Sequence, residues 1–98
     1  MDKNLREICI AVKEDCGEKL SYPYNLGKRT KLGGIPEWIQ NDETPVCNKC
    51  GKKMHFIAQI DSVDYNGNNK EYIFGDVGMI YTFFCFNCET TGSVFQSF

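Results

Sequence analysis

Six cysteines stand among the 98 residues of this chain, and four of them form two pairs with the same short gap: Cys47-Asn48-Lys49-Cys50 and Cys85-Phe86-Asn87-Cys88. Two residues between cysteines in a tight turn let both sulfurs face one ion, and two such turns supply a tetrahedron of thiolates with bonds of ~2.3 Å. This spacing predicts one structural Zn2+ held by Cys47, Cys50, Cys85 and Cys88. Gly51, directly after the first pair, suits the point where a knuckle turns back into a strand, because it lacks a Cβ. A thioredoxin-like redox pair would need a βαβ setting, which is absent, and a disulfide framework would need an oxidising compartment. His55 is the lone histidine; it falls on a half-apolar stretch, and four thiolates already complete the shell. Cys9 and Cys16 lie too far apart for a knuckle and read as small buried hydrophobes.

Four protein ligands leave no open position for water or substrate, which points to a structural rather than a catalytic ion. No serine sits in a Gly-x-Ser-x-Gly setting, and Gly33-Gly34 lacks the Gly-Lys-Ser/Thr ending of a phosphate loop. The sequence therefore predicts no enzyme. Asp76, between Gly75 and Gly78, is either a group at a pocket rim or the cap of a local turn.

The elements that must bring the pairs together are mostly strands. Met54 to Ile60 and Met79 to Phe86 read as strands, with a β-rich run at Glu71 to Phe74 and a last short strand over Ser93 to Phe98. Thirty-four residues separate Cys50 from Cys85, and their return to one site requires an odd number of chain reversals. Tyr65-Asn66-Gly67-Asn68-Asn69 supplies one turn, so Gly75 to Gly78 should be a kink within the returning limb. Upstream, Leu5, Ile8, Cys9, Val12 and Cys16 fit an amphipathic helix ended by Gly17, although Ile8, Ile10 and Val12 also alternate as a strand would. Between them, the Gly-, Pro- and aromatic-rich stretch from Ser21 to Gln40 should be ordered loop. Gly33 and Gly34 would take positive φ there, and Trp38 would anchor the loop on the core.

The fold class expected is thus mainly β (α+β): a small antiparallel sheet with a zinc-ribbon-like site of two Cys-x-x-Cys knuckles and an N-terminal helix. At this length one domain is expected, residues 1–98, made of an N-terminal helix and loop segment (1–30) and a β region (31–98). Residues 1 to 31 carry seven Lys/Arg against five Asp/Glu, and the remainder four against eight. An acidic body argues against a nucleic-acid partner, which needs a basic face. The first residues have no apolar core of signal-peptide length and no run approaches the ~20 apolar residues that span a bilayer, so a cytoplasmic location and no membrane partner are expected.

Taken in order, the blocks Lys31-Leu32-Gly33-Gly34-Ile35-Pro36-Glu37-Trp38-Ile39-Gln40, Pro45-Val46-Cys47-Asn48-Lys49-Cys50-Gly51, Met54-His55-Phe56-Ile57-Ala58-Gln59-Ile60, Phe74-Gly75-Asp76-Val77-Gly78-Met79-Ile80-Tyr81 and Cys85-Phe86-Asn87-Cys88 resemble the bacterial YwqG-like domain. They are similar, more distantly, to the eukaryotic programmed cell death protein 2 family. The resemblance covers roughly residues 31–98. It implies a β-rich domain without established enzymatic activity, whose eukaryotic relatives chaperone a ribosomal protein and some of whose bacterial relatives are similar to immunity proteins that neutralise toxins.

The function expected is a non-enzymatic, zinc-stabilised protein-interaction domain, an immunity protein or chaperone-like adapter; the alternative is a zinc ribbon that binds nucleic acid through Lys28, Arg29, Lys31, Lys49, Lys52 and Lys53. For a protein partner, Trp38, Tyr22, Tyr24 and Asp76 are the candidate contacts, with Phe98 beside them, because aromatics dominate interface hot spots. Core packing is the competing role for each aromatic.

Overall fold

The computed structural model describes residues 4, 5, 7, 9–12, 29–62 and 78–97. Among the described residues, four strands form one antiparallel sheet in chain order: β1 (Lys31–Leu32), β2 (His55–Asp61), β3 (Met79–Cys85) and β4 (Thr90–Gln96). β3 sits inside the sheet and alternates strictly, burying Met79, Tyr81, Phe83 and Cys85 on one face while Ile80, Thr82 and Phe84 face the other way and are half-buried. That period of two follows from the pleat, which sends successive side chains to opposite faces. β2 pairs with β3 from His55↔Phe84 to Asp61↔Met79, so the chain leaving Cys50 does return antiparallel to Cys85. The register of this pair slips between Phe56 and Ala58, where Ile57 is an extra residue on β2. The expected kink at Gly75 to Gly78, the Asn-rich turn and the run at Glu71 to Phe74 fall outside the described residues, Gly78 excepted. There the Gly78 carbonyl accepts a bond from the Ser62 N–H at 3.1 Å and closes the far end of the sheet.

β4 differs from its expected span: it begins at Thr90, directly after the second knuckle, and ends at Gln96. Thr90-Thr91-Gly92 gives little β signal by itself, but pairing with Cys85, Phe84 and Phe83 continues the hairpin without interruption. Gly92 is needed for packing, because a Cβ there would come within 3.1 Å of Met54 Sδ and Pro45 Cγ.

The loop after β1 crosses the buried face as a strap, from Gly33 to Glu43. Its backbone polar groups would be stranded under the sheet's apolar surface, and three buried side chains meet them. Gln59 accepts the Glu37 N–H (3.0 Å) and donates to the Arg29 carbonyl (2.6 Å) and the Glu37 carboxylate (3.1 Å). Tyr81 donates to the Glu37 carbonyl (2.8 Å) and receives the Ile39 N–H (3.2 Å). Gln96 accepts the N–H groups of Ile39 (3.0 Å) and Gln40 (2.9 Å) and donates to the Asn41 carbonyl (2.6 Å) and Glu43 (2.7 Å). Trp38 lies over Tyr81 and Phe83, with ring centroids 4.5 and 5.9 Å away. As expected, it anchors the loop, and Gly33 and Gly34 take φ of 66° and 77°. The core is then Cys47, Met54, Met79, Tyr81, Phe83 and Cys85, ringed by Trp38, Ile39, Cys50, Phe56, Cys88 and Val94.

The expected helix over Leu5 to Cys16 is absent from the described part of that stretch: Leu5, Glu7 and Cys9 to Val12 carry no regular structure. Leu5, Ile10 and Val12 are exposed, and Cys9 is exposed rather than buried. A short helix draws its stability from packing an apolar face, and the described apolar residues of this stretch are left exposed. Cys16 lies outside the described residues.

Candidate metal centre

Each cysteine pair occupies the tip of a β-hairpin. The first hairpin is small: Val46 bridges Lys53, the Met54 N–H reaches the Pro45 carbonyl (2.9 Å) and the Cys47 N–H the Lys52 carbonyl (2.8 Å). The second is the β3–β4 hairpin, paired from Cys85↔Thr90 to Met79↔Gln96. Both tips turn alike. The Gly51 N–H returns to the Cys47 carbonyl at 2.8 Å, and the Glu89 N–H returns to the Cys85 carbonyl at 2.7 Å. Both closing residues are left-handed, Gly51 at φ 75° and Glu89 at φ 56°. Gly51 is marked by its residue type; Glu89 is not, and only its place after the second Cys-x-x-Cys, matching Gly51, could have revealed it.

The tips face each other at one end of the sheet. The four sulfurs of Cys47, Cys50, Cys85 and Cys88 lie within 4.8 Å of one another, so the group could hold a metal ion. Cys50 Sγ and Cys85 Sγ are 3.7 Å apart. A tetrahedron with metal–sulfur bonds of ~2.3 Å has edges of about 3.8 Å, so this pair already stands at the required separation.

The thiols differ in how readily they ionise. Cys47 is held down to about 6, first by the Thr90 hydroxyl at 3.3 Å and then by backbone N–H groups of its own knuckle, including Lys49 at 3.4 Å. Cys88 is pushed up to about 12, first by burial and then by its neighbours Cys47 and Cys50, whose charge opposes a second thiolate. Without an ion the cluster cannot carry four like charges, whereas a divalent cation at its centre removes that obstacle. Ion binding must therefore expel protons.

Trp38 is half-buried on the core, and Tyr22, Tyr24, Asp76 and Phe98 lie outside the described residues. His55 is exposed on β2 and touches Phe86 edge-on, with centroids 5.4 Å apart. Sequence reasoning also missed Thr90, whose hydroxyl reaches Cys47, and the buried Gln59 and Gln96.

The chain matches no protein-family model and no solved structure. Over 67 residues, 68% of its length, it is 37% identical to an uncharacterized protein of Salmonella typhimurium, YpfL. That stretch is 15% of the relative, so the chain spans only a small part of the protein it resembles. Among the described residues no helix is long and apolar enough to cross a membrane.

Proposed function

We propose that this chain is a zinc-stabilised protein-interaction domain of the YwqG-like kind, cytoplasmic and without catalysis of its own, acting as an immunity protein or chaperone-like adapter. The observation that carries the reading is the closed set of four sulfurs. With Cys47, Cys50, Cys85 and Cys88 all ligating, the ion keeps no open coordination position, so its part is to tie two hairpins together. Thiolate donors in a four-fold set favour zinc over the hard cations that prefer oxygen. In YpfL the similar stretch is a small fraction of a longer protein, as suits a module.

The basic residues of the nucleic-acid alternative are partly engaged elsewhere. Arg29 is buried in an ion pair with Asp61, and the Lys31 ammonium donates to the Ile35 carbonyl at 2.6 Å. Lys49, Lys52 and Lys53 stay exposed, which is a small basic surface on a chain of net charge −2.

Native mass spectrometry of protein purified without chelator should give a mass carrying one zinc; a metal-free mass refutes the zinc half of the reading. A tagged chain should retain a stoichiometric protein from its own cells and release it when a chelator is added. Recovery of nucleic acid, with binding that weakens steeply as salt rises, would overturn the protein-partner half.

A further inference from the structure

Exposure alternates between the cysteines of each knuckle. Cys47 and Cys85 are buried, while Cys50 and Cys88 are half-buried, so a reagent arriving from solvent meets the second cysteine of either pair first. The sulfur of Cys50 faces across the site, 3.7 Å from Cys85 Sγ in the opposite knuckle. We propose that Cys50 is an oxidation site for hydrogen peroxide, that Cys85 resolves the oxidised sulfur, and that the resulting disulfide replaces the ion as the tie between the hairpins. The proposal rests on the zinc reading above.

The chemistry balances with peroxide as the only co-reactant. The Cys50 thiolate attacks one peroxide oxygen, the O–O bond breaks, and the sulfur becomes a sulfenic acid as hydroxide leaves and takes up a proton from solvent to become water. The Cys85 thiolate then attacks that sulfur and expels hydroxide, which takes up a proton to become a second water. Two thiolates have lost two electrons to one peroxide. The ion, left with two thiolates of four, departs. Shortening 3.7 Å to a bond of ~2.05 Å calls for a small approach of the knuckles, and the first hairpin has the freedom for it because one isolated bridge holds it.

The identity of the pair decides the outcome. A Cys50–Cys85 bond closes the same long loop, residues 51–84, that the ion closes, and so keeps the hairpins joined. Disulfides within each Cys-x-x-Cys would close two-residue loops and leave the hairpins untied. A tie across a long loop removes more freedom from the unfolded chain than one across a short loop.

The test uses the zinc-loaded full chain carrying Cys9→Ser and Cys16→Ser, so that only the four site thiols can react. Hydrogen peroxide is added in small excess, zinc release is followed with a chromogenic chelator, disulfides are mapped by mass spectrometry after alkylation, and far-ultraviolet circular dichroism reports the sheet. One zinc should leave per chain, Cys50–Cys85 should dominate the linked peptides, and the β signal should persist; dithiothreitol with added zinc should restore the starting state. Zinc retained under peroxide, dominant Cys47–Cys50 and Cys85–Cys88 pairs, or collapse of the β signal each overturns the proposal. Protein that carries no zinc before peroxide is added defeats the underlying zinc reading instead, and this one with it.

Discussion

The two hairpins that carry the cysteines have the same tip and very different stems. The first rests on one isolated bridge, Val46↔Lys53, with two flanking backbone bonds, and ends its turn with Gly51. The second runs the whole length of β3 and β4, is covered by the strap through Tyr81 and Gln96, and ends its turn with Glu89 in a conformation that glycine would adopt more readily. A left-handed residue with a Cβ costs roughly 1–2 kcal/mol, and the longer stem can absorb that. The short stem has little margin: it uses the residue type that needs no such cost, and an ion held by the four sulfurs would brace it more than it would the long stem.

Metal removal is the largest lever on this contrast. Structural zinc contributes ~10–16 kcal/mol in small domains, comparable with or above a whole domain's ~5–15 kcal/mol. In hydrogen exchange, a chelator should strip protection from the Cys47, Gly51 and Met54 amides well before those of Tyr81 and Phe83. Equal loss in both hairpins would show that the stems do not differ as described. Cys47→Ser should act in the same direction.

Cutting the strap from the second hairpin comes next. Gln96→Leu leaves the Gln40 N–H and the Asn41 carbonyl without their partner, and the Ile39 N–H with Tyr81 alone, at about 1–3 kcal/mol for each group left unmet. Gln59→Leu does likewise to the Glu37 N–H and the Arg29 carbonyl. Chemical denaturation should record losses of this order, with zinc content unchanged; a drop in zinc would mean that the strap supports the knuckles too.

Acid should loosen the ion in two stages. With its free thiol at about 12, Cys88 must shed a proton to bind at any ordinary pH, so affinity should fall at least about tenfold for each unit of acidification. Cys47, already ionised above about 6, adds to the slope only below that value. Zinc competition assays between pH 8 and 5 should therefore steepen near 6. Replacing Thr90 with valine removes the hydroxyl that holds Cys47 down, and the break should move to higher pH.

The smallest effects lie in the turns. Gly51→Ala meets no neighbour within 4 Å, so its cost is conformational alone, ~1–2 kcal/mol. Glu89→Gly should gain up to about 1 kcal/mol, because the added freedom of the unfolded chain offsets only part of the relieved left-handed strain. Thermal melts should move in opposite directions; a loss at both sites would mean that the Glu89 side chain has work of its own.

Residue spacing by itself makes the cysteine cluster and Gly51 legible, since thiols two residues apart and a glycine after them have few other uses. Alternation does the same for β3. The start of β4 is hidden because Thr90-Thr91-Gly92 owes its extended form to the partner strand and not to its own residues. Gln59 and Gln96 are hidden too: buried polar side chains are recognised by what they bond, and the strap they hold is far away in sequence. The helix expected over Leu5 to Cys16 rests on periodicity and a stop at Gly17, with no surface specified for it to cover.

The junctions at Arg29, Ser62 and Gly78 gather around Asp61, at the opposite end of the sheet from the sulfurs: Arg29 pairs with Asp61, Thr30 accepts the Asp61 N–H at 2.9 Å, and Ser62 bonds Gly78. For protein engineering this makes one end a socket and the other a clasp. Fusions, inserts or reporter sequences joined directly at Arg29, Ser62 or Gly78 would meet the scaffold a full strand's length away from the thiols, leaving the clasp to close as before.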